Sequence, residues 1–129
     1  PLEREEIRSL YRDVDCALVP LRDLDVFKTV FPSKTFELLS FGVPTIVSVG
    51  GQISELVKRH KASLSVEADN PVELAASVVR LANNPELRSQ LSRNGLRLAR
   101  EHFDYETINK QYKLLLERVI KLDTGQLNG

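Results

Sequence analysis

The segment from Phe31 to Gly51, F-P-S-K-T-F-E-L-L-S-F-G-V-P-T-I-V-S-V-G-G, limits the possible folds more than any other part of the chain. Pro32-Ser33 opens a short helix, because proline tolerates the first helical turn and serine suits a helix start. Gly42 supplies the positive φ that ends it. The strand from Pro44 to Val49 follows, and its β-branched run Thr45-Ile46-Val47 reads as central and buried on both faces. Gly50-Gly51 then turns the chain. A helix feeding directly into a doubly buried strand is a unit of a parallel α/β sheet.

The same alternation extends in both directions. Leu2 to Val14 carries apolar residues at helical spacing, and Cys16 to Val19 is a short apolar run ending at Pro20, read as a strand buried on both faces. Leu21 to Phe31 reads as a charged loop, long for such a connection. A helix is predicted from Gln52 to about His60, and a third strand, nearer an edge, from Ala62 to Val66. Asn70-Pro71-Val72-Glu73 is a strong helix start, with Asn70 as N-cap, Pro71 at N1 and Glu73 as its reciprocal partner. That helix runs to about Asn83 with Leu74, Ala75, Val78, Val79 and Leu81 inward. Asn84-Pro85-Glu86 repeats the signal and opens a helix to Phe103, with Gly95 a weak point inside it. Asp104 caps a last helix to about Leu122, and Thr124 to Gly129 is expected to fray.

The expected fold is therefore α/β: a partial Rossmann-like, three-layer parallel sheet of about three strands, followed by C-terminal helices, with a helical tail from about 104. A complete doubly wound domain holds five or six strands. The chain reads as the second half of such a domain, and a start at Pro1 with no Met anywhere supports a piece of a longer protein.

Composition narrows the function classes. The 129 residues suffice for one domain, with 42% hydrophobic and 28% charged residues, which argues against disorder. Eighteen basic and eighteen acidic residues cancel, so no global charge favours nucleic acid or an anionic membrane. Cys16 lies in an apolar run and reads as a buried, inert thiol. A single cysteine excludes an intrachain disulfide and fits a reducing, cytoplasmic compartment. With only His60, His102 and Cys16 as soft ligands, no metal site is expected, and His102 beside Phe103 reads as a packing residue. Lys58-Arg59-His60-Lys61 is a basic run at a helix end, where cations are favoured in any case. Arg93, Arg97 and Arg100 share a solvated face, and peripheral contact with an anionic membrane is a minor expectation.

Ligands of open parallel sheets bind beyond the carboxyl ends of the strands. Here those ends lead into Pro20 to Pro32, Ser48 to Gly51, and Glu67 to Asn70. The helix at Ser33 offers free N–H groups and a positive dipole end for phosphate. Lys34 adds a cation. Glu37 lies one turn further on a similar face, where a carboxylate can accept from two vicinal hydroxyls. Gly50 and Gly51 allow a tight turn or close approach of backbone to ligand. Phosphate at the helix start and a diol at Glu37 describe a ribose followed by a diphosphate. No Ser-His-Asp arrangement stands at recognisable spacing, and no catalytic residue is assigned.

P-S-K-T-F-E-L-L-S-F-G-V-P-T-I-V-S-V-G-G-Q-I-S-E-L-V resembles the donor-binding signature of retaining glycosyltransferases of the GT-B fold, the glycosyl transferases group 1 family. The resemblance continues through N-P-V-E-L-A-A-S-V-V-R-L-A-N-N-P-E-L-R and L-A-R-E-H-F-D-Y, from about Leu10 to Leu116. It implies that Glu37 binds the ribose hydroxyls of the donor and that Pro32, Ser33 and Lys34 lie by the diphosphate. Many members carry a second glutamate eight positions earlier, where this chain has Thr29. The glycine usual near residue 62 is also absent, and Lys61-Ala62 stands there instead.

By resemblance the parent enzyme is a hexosyltransferase that moves a sugar from a nucleoside diphosphate to an acceptor hydroxyl with retention. It needs no cofactor beyond that substrate, and its N-terminal acceptor domain lies outside this chain. The piece alone is expected to be inactive. The alternatives are part of a nucleotide-sugar epimerase of the same fold, or a non-catalytic module that self-associates through an exposed sheet edge.

Overall fold

The computed structural model describes residues 3–103, 110 and 112–118. Helix α1 (Arg4–Arg12) leads to strand β1 (Ala17–Pro20), helices α2 (Asp25–Thr29) and α3 (Ser33–Ser40), and strand β2 (Thr45–Ser48). Helix α4 (Gln52–Arg59), strand β3 (Leu64–Val66), and helices α5 (Pro71–Ala82) and α6 (Pro85–Phe103) follow. Residues 112–118 are helical, while the expected cap at Asp104 and the fraying after Thr124 lie outside the described residues.

The strands form one parallel sheet in the order β1-β2-β3. Strand β1 lies at its edge with Leu18 exposed, and so is not buried on both faces as its apolar run suggests. Every residue of β2 is buried, as its β-branched run predicts. Alternation along β2 fills both faces. Val47 joins Leu39, Ile53, Val57 and Leu98 on one side, while Ile46 joins Val66, Leu81 and Leu91 on the other. Helix α6 serves both clusters, through Leu98 and Leu91 respectively.

Helix α3 ends in a Schellman motif. The Gly42 N–H donates to the Leu39 carbonyl at 3.0 Å and the Val43 N–H to that of Leu38 at 3.0 Å, with Gly42 at φ +69°. Phe41 is the cap itself, so Gly42 is the residue after it. Leu38 and Val43 pack together with Val19, the apolar contact that usually accompanies this ending.

Four further local expectations need correction. The stretch 21–31 is not all loop, because α2 forms within it, with Asp25 in its first turn and Lys28 in its last. The N-cap of α3 is Pro32, not Ser33, and Ser33 takes the first helical position. Asn70 caps α5, accepting from the Glu73 N–H at 3.0 Å, and the Glu73 carboxylate reciprocates from the Asn70 side-chain amide at 3.4 Å rather than from its backbone N–H, while also accepting from the Glu67 N–H at 3.1 Å. It thereby ties the end of β3 to the new helix. Finally, Ala75, Val78 and Val79 face outward on α5, because the sheet ends at β3 and leaves that flank open.

Gly95 also reads differently in three dimensions. A Cβ there would meet Leu39 Cδ2 at 3.0 Å and the Ala62 carbonyl at 3.6 Å. The glycine that weakens α6 as an isolated helix is what lets it close on α3 and on the start of β3.

Candidate functional site

Helix α3 starts after β1 and runs back before β2, so its N-terminus lies at the carboxyl edge of the sheet. The Thr35 N–H turns back to the Pro32 carbonyl at 2.9 Å. The N–H groups of Ser33 and Lys34 stay outside the helix ladder, as at any helix start. Ser33 and Lys34 are exposed, and the Phe31 and Phe36 rings, 5.8 Å apart, brace the entry. Thr35 is fully buried, and its hydroxyl has no hydrogen-bond partner among the described residues.

One turn inside α3 the chain builds a polar triangle. Lys34 Nζ donates to Glu37 Oε2 at 2.9 Å, and the Tyr11 hydroxyl donates to Glu37 Oε1 at 2.8 Å. Lys34 Nζ also reaches the Tyr11 oxygen at 3.2 Å. The Tyr11 ring leans on Phe41, with centroids 5.0 Å apart. Lys34, then Tyr11, hold the Glu37 carboxyl below the usual carboxylate range, and Glu37, then Tyr11, push the Lys34 ammonium upward. The carboxylate is thus ionised, oriented and half-buried beside a cleft of about 390 Å³ lined by Ile7, Arg8, Glu37 and Phe41.

A second cluster stands at the glycine pair. Gly51 has φ +80°, and a Cβ on it would lie 2.1 Å from the Lys28 carbonyl. Its glycine is therefore required by close approach of the chain's own backbone, in addition to the turn. Gly50 looks onto the Lys28 side chain, whose ammonium pairs with Asp23 at 3.0 Å and Asp25 at 3.1 Å. Those two carboxylates, Asp23 first, raise the Lys28 pKa. Thr29 is exposed at the end of α2 and donates its hydroxyl to the Val26 carbonyl at 3.1 Å.

The structure joins Lys34 to Glu37 directly, and places Gly50 and Gly51 against the helix that carries Thr29. The two clusters share no residue. Tyr11 and Lys28 were missed from sequence. Lys28 directly precedes Thr29, but Tyr11 stands 26 residues before Glu37 and only the packing of α1 on α3 reveals it.

The three strand-end loops also meet. The Asp23 N–H donates to the Asp69 carboxylate at 3.0 Å, and the Ser48 hydroxyl to the Glu67 carbonyl at 3.0 Å. Between them opens a cleft of about 430 Å³ bordered by Leu21, Arg22, Ser48, Asp69 and Asn70. Cys16 is half-buried, and burial followed by the Asp15 charge pushes its thiol upward, consistent with an inert side chain.

The family model described as "Glycosyl transferases group 1" matches residues 1–97. The chain belongs to this family. Among curated proteins, this chain is 34% identical over 83 residues to the lipopolysaccharide core biosynthesis glycosyltransferase LpsD of Rhizobium meliloti (strain 1021). The match covers 64% of this chain and 24% of LpsD, so the chain spans about a quarter of that relative. Its fold is similar to sucrose-phosphate synthase of Thermosynechococcus elongatus, with TM-score 0.79 and 21% identity, over 94% of this chain and 29% of that one. It is also similar to the C-terminal domain of the glycosyl transferase group 1 family protein LpcC from Francisella tularensis, with TM-score 0.64 and 19% identity, over 81% and 51% of the two chains. The GT-B-type α/β fold expected for the sequence is the fold observed. Among the described residues, no helix is long and apolar enough to cross a membrane.

Proposed function

We propose that this glycosyltransferase chain is the second half of a donor-binding domain, which holds a nucleoside-diphosphate sugar while a hexose passes, with retention, to an acceptor hydroxyl. The observation that carries this reading is the Tyr11–Lys34–Glu37 triangle, an oriented carboxylate one turn inside a helix whose start faces the carboxyl edge of the sheet. In this reading the ribose diol is held by Glu37. The diphosphate lies at the N–H groups of Ser33 and Lys34, after Pro32, where the helix dipole offsets its charge. Gly50 and Gly51 shape the floor beside α2, and Thr29 occupies the position at which many members carry a glutamate. The contribution to catalysis is positional and electrostatic, on the leaving diphosphate. The acceptor domain and the first half of the sheet belong to the parent chain, and the isolated piece is inactive.

Two charge-assisted hydrogen bonds to Glu37 are worth roughly 3–6 kcal/mol gross. The net is smaller, because the ligand hydroxyls must share a carboxylate already engaged by Tyr11 and Lys34. Ligand-observed NMR titration with UDP, GDP and ADP tests the assignment, repeated with Glu37→Ala. Saturable binding by one nucleotide, lost in the variant, is the expected result. Binding that survives the substitution would remove Glu37 from the ribose site. Product analysis of the parent enzyme separates glycoside formation from epimerisation.

Self-association is a second reading with its own observation. Leu18 of the edge strand β1 and Val72 and Val79 of α5 are exposed, at 45%, 78% and 58%. Sedimentation at high concentration yielding a monomer would dismiss it.

A further inference from the structure

His60, the C-cap of α4, and His102, near the end of α6, are 42 positions apart in the sequence, yet their rings lie 5.3 Å apart at 76°. Glu101 completes a group whose ligand atoms all fall within 4.8 Å of one another. His102 is exposed, and its ring meets that of His60 edge-on. We propose that His60, Glu101 and His102 form a binding site for a divalent transition ion of the zinc class. It lies where α4 leads into the amino end of β3, and so at the opposite end of the sheet from the candidate donor site.

The ligand chemistry selects the ion. Two imidazoles and one carboxylate suit zinc and its borderline neighbours, whereas magnesium and calcium prefer oxygen sets. Zinc–nitrogen bonds of about 2.0–2.1 Å place tetrahedral ligand atoms roughly 3.3 Å apart. Closing from 4.8 Å needs small rotations of one half-buried and two exposed side chains. The fourth position is left for water.

The backbone carrying these ligands is already held. Asn94 Nδ2 donates to the Lys61 carbonyl at 3.0 Å, which clamps the turn after His60 onto α6. Gly95 brings the same helix close to Ala62. Charge also favours a cation. His60 sits at the negative end of the α4 dipole, and Glu101 contributes a carboxylate. Lys58, Arg59 and Lys61 oppose it, but all three are exposed, where water and salt screen them. A bound ion clips the exit of α4 to α6.

Calorimetric titration of the full 129-residue chain with zinc chloride tests the proposal, with melting temperature read in parallel. One-to-one binding is expected, at least about tenfold weaker in His60→Gln and in His102→Gln and unchanged in Cys16→Ser. Zinc should raise the melting temperature of the unsubstituted 129-residue chain and of Cys16→Ser, but of neither histidine variant. Absence of saturable binding overturns the site. So does binding that both histidine variants retain, or that Cys16→Ser abolishes.

Discussion

Tyr11 donates its hydroxyl proton to Glu37 at 2.8 Å, joining the end of α1 to the middle of α3. With Lys34 on the other oxygen, the carboxylate proposed to hold ribose is fixed before any ligand arrives. Catalytic and binding groups act best when their orientation is set in advance, because the entropy of ordering is already spent.

The depressed Glu37 pKa makes this triangle acid-sensitive. A carboxyl whose pKa is lower in the folded chain adds stability above its unfolded value of about 4.3, and loses it as pH falls through the folded value. Urea midpoints of the unsubstituted chain and Glu37→Gln should differ at neutral pH and converge in acid. A gap that persists at the lowest pH would assign the stabilisation to packing instead.

Gly51→Ala should be severe. The new Cβ meets the Lys28 carbonyl at 2.1 Å, and a left-handed φ adds strain worth about 1–3 kcal/mol. Denaturant unfolding should show a loss of at least about 2 kcal/mol, with α2 displaced from the glycine pair. A mild effect would mean that the α2 segment shifts freely.

Gly95→Ala sets two effects against each other. Helix propensity favours alanine by about 1 kcal/mol, while overpacking a full core costs about 1–3 kcal/mol. The contact is with Leu39, which is fully buried, so overpacking should win and the variant should unfold at lower urea. A stabilised variant would show that α6 can move away from α3.

Lys61 holds φ +50°, a left-handed conformation that glycine adopts without penalty. Relief of that strain exceeds the entropy glycine adds to the unfolded chain, so Lys61→Gly should raise the urea midpoint by up to about 1 kcal/mol equivalent. The Asn94 bond goes to the backbone carbonyl and survives the change.

The order of helices and strands apart from α2, the burial of β2, the Gly42 ending and the Asn70 cap were legible in the sequence. Each depends on residues within a turn or two of one another, where periodicity, dihedral preference and capping chemistry act. The closeness of Lys34 to Glu37 was legible for the same reason, since both occupy a single helix. Tertiary packing alone decided the rest. Tyr11 meets Glu37, Lys28 covers Gly51, α6 requires glycine at 95, and His60 meets His102 because elements distant in sequence close on each other. Local patterns carry no information about such distances, because they are fixed by how whole helices settle against the sheet.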